Sequence, residues 1–308
     1  MSIANGLITY GDVSRKEDVV LNSVELLTAE ENQFLTMLGK TNAIDTVHSY
    51  LVDTLTAPAS KAVAMNTDFA LSALTTPSRL TNIVQEVAEA IQVSRPQEVI
   101  QHYSGNNEAQ RQTTKALKNW GNAVEFDLVR STLVSGLSGT TAKMNGTIAA
   151  ISKSTNTTAH TSGTVFSASI LDGIMSDNWT NSNGDVVTDV FVGGLGKRIV
   201  DSFVQKSNVV VNSPGISTIV RTVTTYETSM GTVTFYKHRY VDIQGTDATV
   251  RVLGVRPDKL KIAYLDRPFI KDLPEGGAYM KKAVYGSMTL EVRNQDSNFF
   301  ISGFLRAA

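Results

Sequence analysis

The stretch of this chain with the most chemical look is GGLGKR at 193–198, set between the apolar run DVFV and the run IVDSFV. Glycines beside a lysine, between a strand-like and a helix-like run, are the material of phosphate cradles, because bare backbone N–H groups can wrap an oxyanion. The spacing fails both templates. A P-loop needs Gly, four residues, then Gly-Lys-Ser/Thr. Here Phe191 stands where the first glycine belongs, and Arg198 stands where the magnesium-binding hydroxyl belongs. The dinucleotide fingerprint has Ile199 in place of its third glycine. A tight strand-to-helix turn is the reading that survives.

Other motifs fail in the same way. WTNSNGDVVTDV mimics a calcium loop around Gly184, but Trp179 holds the first ligand position and Val190 the last, where a bidentate glutamate is needed. GLSGTT around Ser138 is one residue out of register with a nucleophile elbow. His48, His102, His160 and His238 show no metal-helix spacing. Cysteine is absent, which excludes disulfides, thiol nucleophiles and thiolate zinc sites and fits folding in a reducing compartment. The sequence therefore predicts no enzyme, no cofactor and no metal.

Composition bounds the rest. The chain has 308 residues, 28 Lys plus Arg against 29 Asp plus Glu, and 42% hydrophobic residues. That is enough for a sizeable core, without the basic footprint of a phosphate-gripping protein. The start MSIANGLITYGDVSRKE has no apolar signal segment, and no run approaches the roughly 18 apolar residues of a membrane helix. The chain is expected to be soluble and made in the cytoplasm, with no membrane partner.

Few elements are sharply legible. LTAEENQFLTML has a capping-box pair, Thr28 and Glu31, and predicts a short helix ending near Gly39. Residues 46–79 are Thr- and Ala-rich, low in charge and without a helical repeat, so they read as an extended loop or long hairpin; such loops usually have a function. In residues 80–93, Leu80, Val84, Val87 and Ile91 suit a helix and Ile83, Val87, Ile91 and Val93 a strand face; the β-branched residues continuing to Val93, with Pro96 soon after, favour strand. Residues 107–134 carry Ala109, Ala116, Leu117, Trp120, Ala123, Val124, Leu128 and Val129 at three- and four-residue steps, which predicts one long helix. Gly121, in its middle, marks either close packing or a plain surface position. A second lobe follows, with helices over 167–180 and 196–206. Its strands are expected at 186–192, 208–212, 216–224, 232–242 and 248–253, and two more, 278–293 and 298–305, close the chain. The class is α+β with mostly antiparallel strands.

The succession LVDTLTAPA (51–59), SRLTNIVQEVAEAIQVS (78–94), YSGNNEAQRQTTKALKNWGNAVEFDLV (103–129) and the closing GTVTFYKHRYV…LDRPFIKDLPEGGAYMKKAVYGSMTLEVRNQDSNFFISG resembles the major capsid proteins of tailed bacteriophages, in particular the SU-ten-like branch. That resemblance implies the Hong Kong 97-type capsid fold. It makes 1–45 an N-terminal arm, 46–80 an extended loop reaching a neighbour, and 81–162 with 265–308 a peripheral domain. Its spine helix would cover about 103–137, and 163–264 would form an axial domain.

The resemblance implies a shell protein that assembles as hexamers and pentamers into an icosahedral head around double-stranded DNA. Portal, scaffolding and decoration proteins would be its further partners, and it would reside in the virion after assembly in the bacterial host cytoplasm. The residues expected at contacts between subunits are Leu51, Val52, Leu55, Pro58, Lys61 and Arg79. Lys197 and Arg198 are expected to face a neighbour or the packaged genome, which would be held without specific binding. Lys61 has no identifiable acid and Asn partners, so covalent cross-linking is not expected. A tail or baseplate protein forming tubes or rings is the alternative, and a nucleotide-dependent enzyme would require the glycine turn to bind phosphate.

Overall fold

The computed structural model describes residues 32–55, 59–65, 71, 74–99, 108–136, 139–151, 157–159, 164–203, 224–242 and 249–305. The expected cap pair Thr28 and Glu31, Pro58, Ser138, His102, His160, the strand 208–212 and all but the last residue of the strand 216–224 lie outside them. Among the described residues no helix is long and apolar enough to cross a membrane.

The organising element is helix α3, Glu108–Arg130, which spans roughly 34 Å at 1.5 Å per residue. Ala116, Trp120, Val124 and Leu128 follow one another at four-residue steps and are all buried. Each large apolar side chain in such a stripe contributes about 1.5–3 kcal/mol through burial. A second buried row, Gly121, Glu125 and Val129, runs beside the first. Leu117 and Ala123, read from the sequence as part of the apolar face, point outward.

The helix is shorter than 107–134 or 103–137 because later chain closes its end. Gly146 N–H donates to Ser131 O at 2.8 Å, Thr147 Oγ1 donates to Leu128 O at 2.8 Å, and Val134 exchanges backbone bonds with Lys143. Carbonyls that would have propagated the helix are thus satisfied by other residues.

The first sheet lies against α3. Its order is β1 (Gly39–Asn42), β10 (Leu260–Leu273), β11 (Tyr279–Val292) and β4 (Gln85–Ser94). β4 alternates in burial along its length, as a half-buried strand must. β10 breaks register on both sides of Asp266, near Pro268; proline is tolerated in a strand at such irregularities. The short helix α2, Arg95–Val99, follows β4. Strands β2 (Val47–Val52) and β3 (Ser78–Ile83) pair antiparallel as a separate hairpin.

The second sheet has the order β5 (Thr157–Ala159), β12 (Phe299–Leu305), β9 (Thr249–Val255), β6 (Asp189–Val192), β8 (Gly231–Lys237) and β7 (Thr225–Thr228). Both of its faces are covered. Val190, Val192, Val250, Val252, Phe299 and Ile301 face a core under α5 (Ala168–Asn181) and α6 (Gly194–Phe203). Phe191, Leu253, Val255 and Phe300 join the core around α3. Two-sided burial explains why DVFV reads as continuous apolar sequence without alternation. Among the described residues three strand pairs are parallel, β1–β10, β5–β12 and β6–β8, and the other six are antiparallel. Ser167 caps α5, its Oγ accepting from Ile170 N–H. Helix α4, Thr147–Ile151, packs into the α3 core.

Candidate assembly interface

The hairpin of β2 and β3 has a fixed root and a free apolar tip. Tyr50 OH both donates to Val292 O and accepts from Val292 N–H, each at 3.1 Å. Burial pushes the Tyr50 phenol above its ordinary value, with Val292 pulling the other way. Asn82 Nδ2 donates to Leu290 O at 2.6 Å, and Arg79 bonds Ser49 Oγ across the hairpin at 2.7 Å.

Beyond this root the apolar side chains turn into solvent. Leu55 and Leu71 are 99% exposed, Met65 98% and Leu74 95%. Leu51, Lys61 and Arg79 are also exposed and Val52 is half-buried. Large apolar side chains this exposed on one connection are the kind of surface a protein partner covers.

A second cluster, legible only in three dimensions, sits where the two sheets meet α3. Glu125 is fully buried. Its Oε1 accepts Phe34 N–H at 2.6 Å and its Oε2 accepts Leu35 N–H at 2.9 Å, so α3 caps the five-residue helix α1, Gln33–Met37. His238 Nε2 lies 2.9 Å from the same Oε1, and Tyr240 N–H donates to His238 Nδ1 at 3.3 Å. That donation places the imidazole proton on Nε2, aimed at Glu125. Phe34 packs against Phe191 and His238 with centroids 4.7 and 5.4 Å away.

Gly121 belongs to this junction. A Cβ there would meet Asn32 Oδ1 at 3.0 Å, so close packing of the chain entering α1 is its role. Neither Glu125 nor His238 can reach a substrate, and the pair is architectural. Sequence spacing could not have found it, because its groups lie about a hundred residues apart and Glu125 sits in an otherwise ordinary charged helix.

The glycine turn joins β6 directly to α6. A side chain at Gly193 would overlap the carboxylate of Asp242, which fills the space a phosphate would need. Lys197 is buried, its Nζ 2.5 Å from Asp201 Oδ1 one helical turn on. Arg198 is exposed. The structure thus separates the two: Arg198 can meet a partner, whereas the Lys197 ammonium is turned into its own protomer.

The calcium-like segment is a helix end. Gly184 N–H donates to Trp179 O, and Asn183 and Gly184 take positive φ. Asp185 beside them bridges Arg256 and Lys259. Among the described residues no three His, Cys, Asp or Glu side chains gather as a metal site would require.

Two mixed sheets packed around one long helix, with a hairpin of exposed apolar side chains beside them, are the architecture of the phage-capsid fold. A chain of Gordonia phage Cozz matches with a TM-score of 0.65 at 13% identity, covering 99% of this chain and 97% of that one. The capsid of Myoviridae phage XM1 gives 0.63 at 13%, covering 97% and 100%. The SrpI encapsulin complex from Synechococcus elongatus gives 0.62 at 10%, covering 95% and 94%. At these identities the likeness is one of fold. The family follows from sequence: the model of the SU10 major capsid protein matches residues 8–304, and the chain belongs to that family. It is a capsid-forming structural protein. No curated protein sequence matches it.

Proposed function

We propose that this chain assembles through hexamers and pentamers into the icosahedral head of a tailed phage enclosing double-stranded DNA, with the β2–β3 projection as the principal contact between subunits. In this reading residues 1–45 are the arm and 46–80 the extended loop. Residues 81–162 and 265–308 form the peripheral domain on the α3 spine, and 163–264 form the axial domain. The observation that carries it is the set of exposed leucines and methionine beyond a root hydrogen-bonded to β11. A rigid base with an unsatisfied apolar tip is suited to reach a neighbour, and symmetric repetition of one such contact closes a shell.

Near balance of charge suits an inner wall that confines DNA without gripping it, with Arg198 available for non-specific contact. A portal and a separate scaffold or decoration protein would complete the particle, which would assemble in the host cytoplasm. Deleting 54–74 tests the reading. The expected result is a folded, soluble protomer that forms no closed particles in negative-stain images, where the parent does. Intact shells from the deletion, or tubes from the parent, would refute it.

A further inference from the structure

We propose that helix α1 is a releasable strap whose clasp is Glu125, and that the clasp opens when His238 is withdrawn from it. A helix of five residues cannot stand alone, since isolated helices shorter than about 12–15 residues are marginal in water. Asn32 supplies no side-chain cap to it. Two of its N–H groups are bonded instead to one carboxylate on α3. Among the described residues the strand that follows, β1, pairs only with β10, in parallel and over four residues. A short parallel edge strand is a weak hold. What fixes the strap is therefore the Glu125 carboxylate together with apolar burial: Phe34 is 1% exposed between Phe191 and His238, Leu38 is 3% exposed, and Leu35 and Met37 pack against the same core.

The clasp is shared. Glu125 Oε1 accepts from the strap at Phe34 N–H and from the second sheet at His238 Nε2–H. His238 stands just past the end of β8, and its own N–H donates to Val192 O of β6 at 2.9 Å. While the imidazole is in place, the buried carboxylate has three donors and no need of water. Withdrawing it leaves a buried charge short of a partner, which is costly. Water can reach Glu125 once Phe34 leaves its pocket, so strap release relieves that cost. A shift of the β8 end relative to α3 would thus be transmitted to the arm through one oxygen atom.

Hydrogen exchange on the full-length unassembled protein tests this coupling. His238→Leu should lower protection of the α1 and β1 amides, residues 34–42, at least tenfold, while amides of β6 and β9 change less than threefold. In a Glu125→Gln background the amide keeps one acceptor oxygen and sets a donor against the other strap N–H, so strap protection should already be reduced, and the same His238→Leu change should lower it further by less than threefold. Equal loss in both backgrounds would overturn the coupling, as would equal loss across β6, β9 and the strap. If His238→Leu does not fold, His238→Gln carries the test, because its amide N–H can replace Nε2–H. Strap protection within threefold of the parent then supports the proposal, and a tenfold loss overturns it.

Discussion

Replacing Leu55 and Leu71 together by Glu separates the stability of the protomer from the stability of the shell. Both side chains are 99% exposed in the protomer, so their loss removes no packing within it, and its stability should move by no more than about 0.5 kcal/mol. For a chain of this size that is a melting shift of roughly 2 °C or less. Assembly should respond very differently. A leucine taken fully out of water contributes about 2 kcal/mol, so two of them contribute about 4 kcal/mol to each subunit contact. At about 1.4 kcal/mol per tenfold, the threshold concentration for shell formation should rise roughly 700-fold. Light scattering against protein concentration reads that threshold, negative-stain imaging confirms the particles, and a thermal melt of the unassembled protein supplies the control. Assembly at the parental threshold would show that these leucines are not covered in the shell. A melting point lowered by more than about 5 °C would show that they pack inside the protomer.

Trp120→Asp should abolish cooperative melting, because it sets a carboxylate in the α3 core where Trp120 is 4% exposed and donates to Val87 O at 2.9 Å; a soluble variant with a normal melt would show the helix face to be wrong. Gly193→Ala should cost about 1–3 kcal/mol by forcing a methyl group into the Asp242 carboxylate, measured by denaturant melts, with Asp242→Gly in the same chain recovering part of it. Burial holds the Asp127 carboxyl above its ordinary value of 3.8, opposed by Gln85 and Lys143. The folded protein therefore binds this proton more tightly than the unfolded chain, a contribution complete below the ordinary value and lost as pH rises through the raised one. Asp127→Asn should accordingly be the more stable protein at pH 7 and lose that advantage toward pH 3, as read from melting points across that range. ATP or GTP titrated against the protein should show no binding at 193–198, and saturable binding abolished by Lys197→Ala would contradict the account of that turn.

Several features were legible because their causes are local. The four-residue stripe of Ala116, Trp120, Val124 and Leu128 names the spine without reference to any other part of the chain. The β-branched residues along 80–93 give strand, although the structure divides the stretch at Val84 between β3 and β4, and the glycine turn departs from both phosphate templates through Phe191, Arg198 and Ile199 alone. Other features were not legible because their causes are remote. β8 was expected to run to 242 but stops at Lys237, since His238 turns inward to Glu125, 113 residues earlier. The expected strand over 186–192 starts at Asp189, after Asn178 Oδ1 has taken Val187 N–H. Strand β10, Leu260–Leu273, was missed altogether, because Pro268 and the charges around it obscure a run that pairs with β11 on either side of its register breaks.

By itself, then, the sequence determined the spine helix, the low-charge extended loop, the class of fold and the mismatch of the glycine turn with both phosphate templates. Each of these is written in spacing within a single segment, where side-chain period and turn chemistry act over a few residues. Tertiary structure decided that Lys197 is buried on Asp201 while Arg198 is free to meet solvent, and that Asp242 occupies the mouth of the glycine turn. It also decided that a glutamate in a charged helix would become the buried clasp of the arm. The physical reason is that a polar group's meaning depends on its partners and its access to water, and both are set by chain brought in from far away in sequence.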